Sequence, residues 1–174
     1  MRRARKQRGN TIVEMTLVGI PIIFVMISIF EMARVMWVYH TMSHTVREVT
    51  RFAAMHGQDC FLPGNNCLGV NTIGNLATRL GPAGSGVGLD PDLVNVTFAS
   101  GPALGTVTTC LLRDCVTNPA TFPSLRDSAL GLPVSIAVRF PIATALSMFW
   151  PGDQAGFSFA PITLGASSQD FVQY

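Results

Sequence analysis

The sequence predicts an α+β protein in which a long N-terminal helix, membrane-spanning in its first half and amphipathic in its second, precedes a small antiparallel β-sheet. An apolar run from Thr11 to Phe30 carries a single charge. Of 11 prolines only Pro21 precedes residue 57, so the first third of the chain permits a long helix. Several segments after residue 92 alternate apolar and polar residues, the pattern of half-buried strands. We therefore expect a basic leader over residues 1–9, a helix over residues 10–56 and an extracytoplasmic domain over residues 57–174.

The apolar run has the length of a membrane span. Its twenty residues would form a helix of about 30 Å, the thickness of a bilayer's hydrocarbon core. Five cations precede it, at Arg2, Arg3, Arg5, Lys6 and Arg8. The positive-inside rule therefore predicts a single-pass protein with its N-terminus in the cytoplasm and the rest outside. A cleaved secretory signal has a similar start, but no A-x-A-like site follows the run, so we expect the span to be retained.

Glu14 is the one charge inside this run. A carboxylate within a membrane segment is costly and suggests a function. The alternative is an ordinary anchor in which Glu14 lies shallow enough to reach the headgroups. The spacing leaves both interpretations open.

The pattern becomes amphipathic after the span. Apolar residues recur at spacings of three and four, with one adjacent pair, at Met32, Val35, Met36, Tyr39, Met42, Val46, Val49 and Phe52. This spacing predicts one continuous helix from about Thr11 to Ala54, whose apolar stripe packs on a folded domain or on other helices. Trp37 and Tyr39 suit either the membrane interface or core packing.

The remaining chain predicts short elements joined by turns. A helix is expected over residues 72–80, followed by a glycine-rich connector over residues 81–92. Strands are expected over residues 93–99, 106–112, 133–140 and 157–166. Pro161 makes the last of these an edge strand or a broken one. Such strands form an antiparallel sheet with one face available to the helix.

The four cysteines are Cys60, Cys67, Cys110 and Cys115. An even number in a chain that leaves the cytoplasm suggests two disulfides, for which three connectivities exist. We favour the local pairs Cys60–Cys67 and Cys110–Cys115 because both fall in turn-rich stretches. Zinc is disfavoured because neither spacing is C-x-x-C and no histidine follows His56.

Other chemistry has little support in the sequence. His40, His44 and Glu48 recur one helical turn apart, but the zinc-protease motif requires glutamate directly after the first histidine. Residues 57–174 carry four arginines against seven aspartates, a net charge of −3, which argues against nucleic-acid binding. We expect neither a cofactor nor enzymatic activity.

The N-terminal motif resembles a known family. Gly9 followed by Asn10-Thr-Ile-Val-Glu14, after a basic leader and before an apolar helix, resembles a type IV prepilin processing site. Together with the segment Val46-Arg-Glu-Val-Thr-Arg-Phe-Ala-Ala54 and a closing strand at Ile162–Ser168, it is similar to the TadE-like proteins of tight-adherence (Flp-type) pilus systems.

The resemblance implies a minor pilin or pseudopilin in the bacterial inner membrane, with a periplasmic domain. A prepilin peptidase would cut between Gly9 and Asn10, and Glu14 would set register against a neighbouring subunit's amine. The implied partners are other pilin-like subunits, the assembly platform and the lipid bilayer. The alternative is an unprocessed bitopic inner-membrane protein whose periplasmic domain binds a partner.

Overall fold

The computed structural model describes residues 8–56, 71–142 and 162–173. The chain divides into two compact units, residues 1–36 and 37–174. One helix, α1 (Arg8–Met55), contributes to both. The predicted continuous helix is therefore confirmed, and it begins a few residues earlier than expected.

The first unit consists, in its described part, of the N-terminal half of α1. Its large apolar side chains between Ile12 and Phe30 are exposed, except that of Ile27, which is partly buried. Pro21 lies inside the helix, where it cannot donate to the carbonyl of Leu17. This is the one described helix long and apolar enough to cross a membrane.

The second unit is built on a four-stranded antiparallel sheet. Its strands are β1 (Asn95–Ser100), β2 (Thr106–Leu111), β3 (Pro133–Ile142) and β4 (Ile162–Phe171), in the spatial order β2-β1-β3-β4. The predicted α+β class and antiparallel sheet are confirmed. The last strand lies at an edge, as Pro161 indicates, while the predicted residues 157–161 lie outside the described residues.

The sheet buries one face. Alternate β3 residues are buried at Val134, Ile136, Val138, Phe140 and Ile142, and β1 places Val96 and Phe98 beside them. In the same unit, α1 buries Val38, Met42, Val46, Val49 and Ala53 at helical spacing. The opposite face of the sheet carries polar residues, among them Thr97, whose hydroxyl lies 3.2 Å from that of Thr109. This division is the ordinary one for an antiparallel sheet with one solvated face.

The predicted apolar stripe of α1 is only partly a core stripe. Met42, Val46 and Val49 are buried, whereas Met32, Met36 and Tyr39 are exposed. For these last three residues, contact with other helices, the second predicted surrounding of the stripe, stays a prediction. Burial on the helix begins at Val38, because apolar periodicity records an apolar face and not which surroundings cover it.

Helix α2 (Ile73–Gly86) is longer than predicted and includes most of what sequence reasoning assigned to a connector. Leu76, Ala77 and Leu80 are fully buried, and packing of this face stabilises the helix despite its glycines. Gly74 has a specific reason to be glycine: a Cβ there would lie 2.6 Å from the Val116 carbonyl oxygen. The glycine that weakens the sequence prediction thus permits close contact with the segment after helix α3 (Leu112–Cys115).

A buried carboxylate organises the loops at one end of the sheet. Asp127 is 4% exposed and accepts hydrogen bonds from the hydroxyls of Ser124, at 2.8 Å, and Ser100, at 3.3 Å. A hydrogen bond from the Thr106 side chain, followed by that from Ser124, lowers the pKa of this carboxyl below its ordinary value. Asp127 therefore joins the β1 end, the start of β2 and the loop before β3.

Candidate functional site in the apolar helix

The polar side chains of the apolar segment differ in how they are satisfied. The Thr16 hydroxyl reaches the carbonyls of Ile12 and Val13 at 3.1 and 2.9 Å, and the Ser28 hydroxyl donates to the Phe24 carbonyl at 2.9 Å. Such bonds to the preceding turn are how hydroxyls avoid an unpaired donor in a lipid environment. These two residues therefore need no partner from another chain.

Glu14 lacks this local solution. It is exposed on the helix, and no hydrogen bond or ion pair to it occurs within the described part of the chain. A carboxylate accepts hydrogen bonds but, when ionised, has no proton to donate to a backbone carbonyl. Glu14 thus requires water, a headgroup or a positive group from elsewhere.

The predicted processing site lies one turn before Glu14. Gly9 and Asn10 are in the first turn of α1, which begins at Arg8. Residues 1–7 of the predicted leader lie outside the described residues. The helix thus places Gly9, Asn10 and Glu14 within about 8 Å along its axis at about 1.5 Å of rise per residue.

The structure joins Cys110 to Cys115 by a disulfide, one of the two predicted pairs, with a Cα–Cα distance of 5.5 Å. The bridge closes the turn from the end of β2 into α3, and Cys115 is fully buried. Cys60 and Cys67 lie outside the described residues, so their pairing stays a prediction.

The remaining sequence candidates are separate from Glu14. His40, His44 and Glu48 are exposed on α1, and no metal-binding group of three acidic, cysteine or histidine residues occurs within residues 8–56, 71–142 and 162–173. Trp37 and Tyr39 are 69% and 40% exposed, which favours the interface role over core packing.

Sequence reasoning missed one feature of the second unit. The guanidinium of Arg79 on α2 lies 3.8 Å from the ring centroid of Phe52 on α1. The two residues line a groove of about 460 Å³ together with Thr45, Glu48, Val49, Arg51 and Met55. Only helix packing brings these distant residues together, so no local pattern could have indicated the groove. Its cation–π contact stabilises the α1–α2 pair by about 0.5–1 kcal/mol at an exposed site.

A single apolar helix near the N-terminus, followed by an α+β domain, is consistent with a single-pass membrane protein. Residues 9–51 match the model of the family described as TadE-like protein, which confirms the resemblance for this segment and indicates involvement in a tight-adherence pilus system. The matched segment includes Gly9, Glu14 and most of α1, and it ends before the sheet domain. No curated protein and no solved structure matches the chain.

Proposed function

We propose that this protein is a minor pilin or pseudopilin that aids assembly of a tight-adherence (Flp-type) pilus. The observation that carries the proposal is the unpartnered Glu14 in a segment whose described hydroxyls, those of Thr16 and Ser28, bond to their own helix. The TadE-like match over the same segment supports it.

Cleavage after Gly9 would change the electrostatics of the helix start. Residues 1–9 carry five cations, which hold the N-terminus at the headgroups. Their removal leaves one new positive charge, the α-amino group of Asn10. The mature helix then starts with an amine and has a carboxylate one turn later, a combination that a neighbouring copy can complement.

Pairing between Glu14 and a neighbour's amine would set axial register between subunits. Removing one partner of a buried ion pair costs about 3–5 kcal/mol, because the remaining charge is left uncompensated. Subunits displaced along their axes would meet this cost, whereas aligned subunits would not. The carboxylate therefore acts on assembly and not on folding of the sheet domain.

The proposed location is the bacterial inner membrane, with the N-terminus in the cytoplasm and the sheet domain in the periplasm. The Cys110–Cys115 disulfide supports an oxidising compartment for that domain. The partners we propose are the prepilin peptidase, other pilin-like subunits and the pilus assembly platform.

One observation favours a second candidate function. α1 is already helical through Gly9 and Asn10 in the uncleaved chain, as it would be in a permanent anchor. The second candidate is an unprocessed bitopic inner-membrane protein whose periplasmic domain binds a partner.

Intact-mass measurement of the protein co-expressed with its prepilin peptidase distinguishes a processed pilin-like protein from an unprocessed bitopic protein. We expect loss of residues 1–9, and we expect Gly9→Phe to abolish it. Gly19→Phe is the matched control, because a Cβ at Gly19 meets nothing within 4 Å and the position lies ten residues from the cleavage site. An uncleaved wild-type chain, beside a peptidase that processes another prepilin, would favour the permanent anchor.

A further inference from the structure

Among the residues that the structure describes, no strand pairs with the outer side of either edge strand of the sheet. Val172, just after β4, donates its backbone N–H to the carbonyl of Leu132, just before β3, so the backbone groups of residue 172 point towards β3. Backbone groups alternate in direction along a strand, so the even-numbered residues of β4 point towards β3 and the odd-numbered residues point away. The N–H and C=O groups of Thr163, Gly165, Ser167 and Gln169 therefore point away from β3. Within the described residues, none of these four has a backbone partner on that side.

The other edge strand, β2, is open in the same way. Leu112 donates to the Val94 carbonyl, so the backbone groups of Val107, Thr109 and Leu111 point away from β1. No backbone hydrogen bond reaches these groups from the part of the chain that the structure describes.

The residues of these two edge strands provide little of the usual protection against pairing. Natural edge strands carry charges, prolines or bulges that prevent contact with another strand. β2 has no charged residue. β4 has ten residues, of which Asp170 is the only charged one and none is proline. The large exposed apolar side chains of the described sheet are all on these two strands: Val107 at 57%, Ile162 at 52% and Phe171 at 54% exposure.

The topology selects which edges can meet. Each neighbouring pair in the order β2-β1-β3-β4 is antiparallel, so β2 and β4 run in opposite directions. The β4 edge of one copy can thus form an antiparallel ladder with the β2 edge of a second copy that has the same orientation. An antiparallel β4–β4 pair would instead invert one copy relative to the other.

We propose that copies of this chain associate head to tail, with β4 of one copy pairing with β2 of the next to extend the sheet. The register that brings the exposed apolar side chains together places Phe171 opposite Val107. Gln169 then lies opposite Thr109, and Ser167 opposite Leu111. In this register the free backbone groups of Ser167 and Gln169 face those of Leu111 and Thr109, and Phe171 forms an aromatic–β-branched cross-strand pair with Val107.

The contact is open-ended, because the two participating edges are different. Such heterologous contacts produce rings or filaments according to whether the rotation closes. This association depends on the sheet alone and is independent of processing at Gly9, so it can fail or succeed separately from the pilin function.

Cysteine cross-linking in membranes tests the contact in the full-length chain. Two differently tagged copies are co-expressed, one with Val107→Cys and the other with Phe171→Cys, and treated with a mild oxidant. Facing residues in a ladder lie about 5.5 Å apart, within the range of a disulfide. A bond between the two added cysteines within one chain is excluded, since each copy carries only one of them.

We expect a disulfide-linked species that contains both tags and is absent when either copy lacks its added cysteine. Ser167→Pro in the Phe171→Cys copy should abolish it, because proline removes an outward N–H from the ladder. Ser167→Ala keeps that N–H and should leave the cross-link unchanged. If Ser167→Pro is degraded, Gln169→Lys, which places a charge on the same edge, should give the same loss.

Three outcomes would overturn the proposal. The mixed cross-link could be absent from membranes that contain both copies. It could persist in the Ser167→Pro and Gln169→Lys variants, so that the contact does not involve the strand edge. Copies with Ser167→Cys could link to one another, which would indicate β4–β4 pairing instead.

Discussion

The Asp127 carboxylate occupies the space that a side chain on Gly101 would need. A Cβ on Gly101 would lie 2.5 Å from Asp127 Oδ1. Gly101 also adopts φ +87° and ψ −177°, a backbone region that essentially only glycine enters. The turn after β1 and the loop before β3 are therefore fitted to each other at this contact.

This fit predicts that Gly101→Ala destabilises the sheet domain. The added methyl group would strain the backbone and displace the carboxylate, at a cost of about 1–3 kcal/mol for the backbone alone. Thermal unfolding in detergent, followed by circular dichroism, should give a lower midpoint. Gly88→Ala is the matched control, since it also has positive φ, at +72°, but no atom within 4 Å of the added Cβ. Equal losses in both variants would show that the Asp127 contact contributes nothing.

Asp127 predicts an acid-dependent loss of stability. Hydrogen bonds from Thr106 and Ser124 lower its pKa in the folded protein. A carboxyl with a lowered folded pKa stabilises the fold above its unfolded pKa, near 4, and loses this effect as pH falls through the folded pKa. Asp127→Asn should therefore cost about 1.5–3 kcal/mol at pH 7, the range for hydrogen bonds to a charged group.

The pH profile provides the control for that prediction. As pH falls below about 4 and through the lowered pKa of the folded carboxyl, the wild-type side chain becomes protonated, so the stability difference between wild type and Asp127→Asn should shrink. Denaturant unfolding at a series of pH values measures it. A difference that stays constant from pH 7 to pH 2 would mean that the charge of Asp127 is unimportant.

The Cys110–Cys115 bridge should contribute about 2 kcal/mol by restricting the unfolded chain, in the chain-entropy model for so short a loop. Replacing both cysteines with serine should lower the unfolding midpoint and leave the sheet intact. Non-reducing peptide mapping should link Cys110 to Cys115, and the same map tests the predicted Cys60–Cys67 pair. Four free thiols in protein from its native compartment would contradict export of the domain.

Glu14→Gln should separate assembly from biogenesis. The variant removes a charge from the apolar segment, so insertion should be unharmed or easier. We expect a stable, cleaved, membrane-located protein that no longer supports pilus formation, as measured by pilus yield and co-purification with pilin-like subunits. Thr16→Val is the control, because the Thr16 hydroxyl bonds only to its own helix in the described structure.

Two results for Glu14→Gln would count against the register mechanism. Degradation or mislocalisation would mean that Glu14 serves biogenesis of the subunit itself. Normal pilus formation would mean that Glu14 reaches the headgroups of an ordinary anchor.

The sequence by itself determined the features that depend on local pattern. The apolar run before Glu31, the strand alternation over residues 133–140 and the Cys110–Cys115 pair were each visible because they involve residues close in the chain. The isolation of Glu14 within the run was visible in the composition alone. The TadE-like resemblance also belongs to this local part, and the matching segment ends at residue 51.

Only the tertiary structure decided which surfaces cover one another. Burial on α1 begins at Val38, α2 extends through a glycine-rich stretch to Gly86, and Asp127 meets Gly101 from a distant loop. Pro161 indicated an edge position for the last strand, but the strand order that places β2 at the opposite edge has no local signal. The physical reason is that periodicity encodes which face of an element is apolar, whereas the choice of partner depends on packing between residues far apart in the chain.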